Sequence, residues 1–207
     1  MTNTPTKLRV IGVSGTNGAG KDTVGQMLAK YHNYLFISVT DLLRNEAKRR
    51  GLMVTRENLR MISAEWRREL GLGVLIDKSV AEYETVYDKY AGVVIASLRN
   101  PGEAERVHQL GGTMLWVDAA ARVRYDRVQS NKASRGERAG EDDKTFEQFL
   151  AEEAAEMHRP SNGDDATLDV SAVKDLCDVI IDNSQENVVA FRRHVEHVLG
   201  LPETTKQ

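Results

Sequence analysis

A single cysteine, Cys177, excludes an intramolecular disulfide. No stretch approaches the ~20 consecutive apolar residues of a membrane span. Excess positive charge is missing as well: 28 Lys and Arg stand against 31 Asp and Glu, a net charge of −3. Nothing therefore draws the whole chain to nucleic acid or to an anionic membrane, and any anion must be captured locally. The 5 histidines and lone cysteine nowhere reach the close spacing of a zinc site. Met1–Lys7 is polar, without a signal-type apolar segment, so a reducing cytoplasmic compartment is the expectation. Internal repeats and low-complexity tracts are lacking too.

What remains is a chain of 207 residues, 41% hydrophobic and 29% charged, enough for one domain with a sizeable core. Its most informative stretch is Gly15-Thr16-Asn17-Gly18-Ala19-Gly20-Lys21-Asp22-Thr23. An apolar run of strand character, Leu8–Val13, precedes it, and Val24, Met27 and Leu28 recur behind it at helical spacing. Glycines let successive N–H groups turn into one concavity, the helix adds the positive end of its dipole, and Lys21 reaches the outer phosphates. The expected ligand is a nucleoside triphosphate, ATP with Mg²⁺, cradled by Gly15, Asn17, Gly18, Ala19, Gly20, Lys21, Asp22 and Thr23. Where this pattern usually carries Ser or Thr, the chain has Asp22 and then Thr23. Either Asp22 holds the metal directly or through water, or it only favours the helix N-terminus and Thr23 serves the metal.

Five strand-like segments alternate with helical ones, which predicts an α/β sandwich around a five-stranded, mostly parallel sheet. Segments 7–38, 92–132 and 173–200 form the core; 40–90, a long helical excursion, reads as an acceptor-binding insertion; 133–143 reads as a lid. Asp41 and Arg44 follow the second strand, and Arg99 follows the third, at the sheet edge where open α/β sheets bind ligands. Each has a structural alternative: Asp41 as a helix cap, Arg44 as a surface charge, Arg99 in an ion pair. In 55–70, Leu59, Ile62, Trp66 and Leu70 form an apolar stripe opposite Arg56, Arg60, Arg67 and Arg68. Arg124 and Arg127 share a helix face, and Arg135 and Arg138, between glycines, suit either a lid closing on phosphates or a solvated loop. Ser184 is the expected cap of a last amphipathic helix.

The chain resembles the nucleotide-kinase branch of P-loop proteins over most of its length. Gly15–Thr23 is similar to the loop of phage-type deoxynucleoside monophosphate kinases. Ser38-Val39-Thr40-Asp41-Leu42-Leu43-Arg44 resembles the Ser-x-Gly-Asp-Leu-Leu-Arg segment of adenylate kinases, and Asp178–Ser184 the closing strand of dephospho-CoA kinases. An archaeal family of dephospho-CoA-kinase-like P-loop ATPases shares the runs Glu46–Gly51, Thr55–Arg60 and Asp142–Thr145, but tends to carry an acidic residue where this chain has Ala96. The resemblance implies that Arg44 and Arg99 grip an acceptor phosphate and that Arg127 serves the transferred group.

The resulting expectation is phosphoryl transfer from ATP to a small-molecule nucleotide acceptor, a (deoxy)nucleoside monophosphate first. Lys21, Arg127, Arg135 and Arg138 would stabilise charge, and Asp41 would act as base if the acceptor were a ribose hydroxyl, as in dephospho-CoA. A non-kinase ATPase switch is the alternative. Oligomeric state is left open.

Overall fold

The computed structural model describes residues 8–131, 144–185 and 187–204. The strands are β1 (Val10–Gly15), β2 (Tyr34–Ser38), β3 (Gly92–Ala96), β4 (Thr113–Asp118) and β5 (Val179–Asp182). They form one all-parallel sheet in the order β2-β3-β1-β4-β5. The helices are α1 (Lys21–His32), α2 (Val39–Arg49), α3 (Arg56–Leu70), α4 (Val74–Glu84), α5 (Pro101–Gln109), α6 (Ala121–Ser130), α7 (Phe146–Met157), α8 (Val170–Asp175) and α9 (Val188–Val198). No helix among the described residues is long and apolar enough to cross a membrane.

Strand residues alternate between the two faces of the sheet, so β3 supplies both cores. Val93 and Ile95 join the cluster built with Leu43, Ile62, Leu75 and Val107 from α2 to α5. Val94 and Ala96 join Val24, Leu28, Phe191 and Val195 from α1 and α9. Burial on both faces is why β3 is apolar throughout.

Several local expectations need correction. The helical excursion expected over 40–90 has its last helix, α4, end at Glu84, followed by a 3₁₀ turn at Tyr87–Lys89. The last helix is capped by Asn187, which accepts from the Ala190 amide, while Ser184 donates to Asp182 and accepts from the Ala120 amide. Leu70, expected in the apolar stripe of 55–70, is exposed. Strand β3 stops at Ala96 because Ser97 takes a left-handed φ of 73°.

The largest departure is Arg67, whose side chain is 2% exposed although helical periodicity puts it on the polar face. Glu103, fully buried, takes Arg67 on one oxygen (Nη2 at 2.6 Å, Nε at 3.1 Å) and the Arg99 and Asn100 amides on the other (2.8 and 3.1 Å). Arg67 also donates to the Ala166 carbonyl, 3.0 Å away. One carboxylate thereby closes the N-terminus of α5 and fastens α3 to the core. Replacing Glu103 with Ala leaves a buried guanidinium unpaired and is expected to cost about 3–5 kcal/mol, read as a lowered urea midpoint, whereas Glu103→Gln with Arg67→Met recovers much of the loss.

Candidate active site

Gly20 has a left-handed φ of 107° and precedes α1, whose first turn has no side-chain cap. Gly18 is also left-handed, with φ of 79°, and a Cβ there would stand 2.6 Å from the Arg124 carbonyl oxygen. The loop is held from three later parts of the chain. Thr16 Oγ1 donates to Asp118 at the end of β4 (2.7 Å), Asn183 Nδ2 donates to the Ala19 carbonyl (2.8 Å), and Arg124 donates to the Asn17 carbonyl (3.2 Å). Arg124 itself is buried and paired with Glu153 of α7. These three clamps leave no local signature, since each lies more than 100 residues from its partner.

Lys21 is 8% exposed and donates to the Thr16 carbonyl at 2.6 Å. Burial lowers its pKa from 10.5 to about 8, with the Arg99 charge pushing the same way. A buried ammonium of this kind gains much from an approaching phosphate, which replaces the lost water with negative charge.

Beyond the loop opens a cleft of about 840 Å³. Lys21, Asp22, Thr23, Asn183 and Gln185 line it, as do Arg44, Arg56, Arg60 and Arg99. Of the residues singled out in the sequence, the structure brings Asn17, Gly18, Gly20, Lys21, Asp22, Thr23, Arg44, Arg99 and Arg127 to this one cleft. Gly15 closes β1 behind it, and Ala19 is buried beneath the loop. Arg127 donates one terminal nitrogen to the Gln185 carbonyl, and the other has no hydrogen-bond partner among the described residues.

Asp41 does not join them. Its side chain is 58% exposed, holds Arg44 at 3.0 Å and is not among the cleft-lining residues, Thr40 being the neighbour that is. The reason is helical geometry: α2 starts at Val39, and Asp41 in its first turn faces outward while Leu43 and Arg44 turn in. Arg99 lines the cleft and is also paired with Glu156. Arg135 and Arg138, with the rest of the expected lid, lie outside the described residues.

Sequence reasoning missed Arg56, Arg60 and Glu156. Arg56 and Arg60 of α3 face Glu152 and Glu156 of α7, both pairs spaced by four: Arg56 to Glu152 at 3.0 Å, Arg60 to Glu156 at 2.6 Å. The matching i, i+4 charges were legible in the chain, though not which helices would meet.

Among the described residues no group of three His, Cys, Asp or Glu stands ready for a metal. A carboxylate and a hydroxyl beside a phosphate cradle, as at Asp22 and Thr23, nevertheless suit Mg²⁺, which takes one or two protein oxygens and fills its shell with water and phosphate.

An AAA domain family matches residues 11–159. A UPF0200 protein of Pyrobaculum aerophilum is 31% identical over 152 residues, covering 72% of this chain and 78% of its own. Another, from Pyrococcus abyssi, is 26% identical over 194 residues, 92% of this chain and 95% of its own. Among solved structures, shikimate kinase from Bacteroides thetaiotaomicron superposes with a TM-score of 0.53 at 18% identity, over 94% of this chain and 99% of that one. Shikimate kinase from Aquifex aeolicus gives 0.52 at 17% identity, over 92% and 96%. With its phosphate loop, its all-parallel sheet and these matches, the chain belongs to the AAA domain family and to the UPF0200 proteins of archaea, and has the P-loop kinase fold.

Proposed function

We propose that this protein is an ATP- and Mg²⁺-dependent kinase that phosphorylates a nucleotide, most simply a nucleoside monophosphate. The observation that carries the reading is one cleft that gathers a phosphate loop with Lys21 and an arginine group comprising Arg44, Arg60 and Arg99. In-line phosphoryl transfer needs two anions held end to end with their charge neutralised, and little else.

In this scheme Lys21 and the loop amides hold the donor phosphates. Arg44 and Arg99 orient the acceptor phosphate. One of its oxygens attacks the γ-phosphorus, the bond to the bridging oxygen breaks, and ADP leaves. Arg127, with Arg135 and Arg138 as further candidates, offsets charge on the transferred group. Asp22 and Thr23 would hold Mg²⁺, which supplies charge neutralisation on the donor phosphates. A monophosphate acceptor is already ionised and needs no base. That Asp41 is engaged with Arg44 and absent from the cleft lining supports such an acceptor over a ribose hydroxyl, as in dephospho-CoA. A second reading, an ATPase switch without small-molecule acceptor, is favoured by Ala96, which puts a methyl where an acidic residue was expected.

Three outcomes follow. Incubation with Mg²⁺-ATP and a panel of nucleoside monophosphates, dephospho-CoA and shikimate is expected to yield ADP and a nucleoside diphosphate in equal amounts by chromatography; ADP without any phosphorylated acceptor supports the switch instead. Lys21→Ala is expected to lower kcat about 100-fold or more, as removal of one preorganised donor does, while Arg44→Ala acts chiefly on acceptor KM. The protonated form of Lys21 is the one that binds phosphate, and it is lost as pH rises through about 8. Affinity for inorganic tripolyphosphate, measured calorimetrically, is therefore expected to drop about tenfold from about pH 8 to about 9.5, and Lys21→Arg is expected to flatten that profile.

A further inference from the structure

Of the carboxylates that line the cleft, Asp126 and Glu156 have no part in the proposed transfer, and Asp126 pairs with Arg122 on its own helix. Glu156, near the end of α7, has a side chain 13% exposed and lines the cleft. One of its oxygens accepts from Arg60 Nη2 at 2.6 Å and lies 3.6 Å from Arg56 Nη1, and the other is held by Arg99. Burial alone would raise its pKa; Arg99, Arg60 and Arg56 outweigh burial and keep it below the ordinary carboxylate value. The carboxylate is also close enough to act on the charge of Lys21.

This pair differs in kind from Arg67–Glu103. There Arg67 reaches the cleft wall, but Glu103 is fully buried and every carboxylate oxygen is tied to α3 or to the turn before α5. Glu156 instead presents an oxyanion to three guanidinium groups at the open cleft, as an anionic ligand would. Three guanidinium groups thus converge on the one Glu156 carboxylate, Arg56 being shared with Glu152.

We infer that Glu156 is a specificity-determining residue: its carboxylate occupies the Arg56–Arg60–Arg99 anion subsite, and only a ligand bearing a phosphate dianion displaces it. An intramolecular carboxylate competes at an effective concentration of about millimolar or more. A ligand carboxylate merely exchanges like for like and gains nothing over it. A phosphomonoester brings a second charge and a third oxygen, matching three forked donors. Carboxylate acceptors and neutral sugars are thus rejected. The term acceptor rests on the kinase reading; the subsite itself does not, so it is tested without ATP.

Titration calorimetry of the full chain with inorganic phosphate and with acetate, near pH 8, decides the matter. Wild type is expected to bind phosphate and not acetate. Glu156→Gln is expected to bind phosphate about tenfold more tightly and to acquire measurable acetate binding, because the resident competitor is gone. Both gains are expected to vanish in the Glu156→Gln, Arg60→Ala double variant, which separates this subsite from the phosphate loop common to all forms. Phosphate binding no tighter in Glu156→Gln, or a gain that survives removal of Arg60, overturns the inference. If Glu156→Gln fails to fold, Glu156→Asp, which keeps the charge but shortens the reach, is expected to show a smaller gain of the same sign; no gain there overturns the inference too. A purely structural role would lower the melting temperature without tightening phosphate binding.

Discussion

The carboxylate of Glu103 spends both oxygens on four donors, two from Arg67 and two backbone amides. Neither charge could stay buried alone, and each is tolerable only because the other is in place. The consequence reaches the cleft. Fixing the Arg99 amide fixes where its side chain leaves the sheet, and Arg67 holds the loop after α7 through the Ala166 carbonyl. Asn100 adds two bonds to that loop, at the Asp165 and Thr167 carbonyls. The helical insertion, the third strand's turn and the segment behind α7 are therefore registered against one ion pair.

Arginine is the recurring device of the cleft, and a carboxylate accompanies most of its arginines. Asp41 attends Arg44, Glu152 and Glu156 attend Arg56 and Arg60, and Glu153 attends Arg124. A chain with net charge −3 can in this way keep a strongly cationic groove without a cationic surface. Lys21 and Arg127 donate instead to backbone carbonyls, those of Thr16 and Gln185, and burial lowers the Lys21 pKa.

What the sequence revealed follows from range. The loop Gly15–Thr23 was legible because its chemistry is written in consecutive residues between a strand and a helix. Strand β4 was legible to the residue because six positions of strand character are bounded by glycine and by Asp118-Ala119. Periodicity also placed Leu59 and Ile62 in the core, yet by the same rule it put Arg67 in solvent, since nothing local announces a partner 36 residues away. Asp118, Asn183 and Glu156 were missed on the same ground. The six-residue helix α8 is too short to show a period. Asp41 stands with its carboxylate on Arg44 and outside the cleft lining because a strand's carboxyl end locates a backbone, while the first turn of the helix decides which side chains face the cleft.

The strand order has a consequence for how such a chain comes into being. β1 lies between β3 and β4, pairing Val10 with Val93 and Ile11 with Thr113, so its neighbours are made long after it. During synthesis the first strand waits with one edge unsatisfied until β3 is made and the other until β4, past the middle of the 207-residue chain. The phosphate loop has no earlier existence as a rigid object, because the Asp118 and Asn183 that clamp it come later still. With contacts so distant in sequence, folding is expected to be slow and to finish all at once, nucleotide site and hydrophobic centre together.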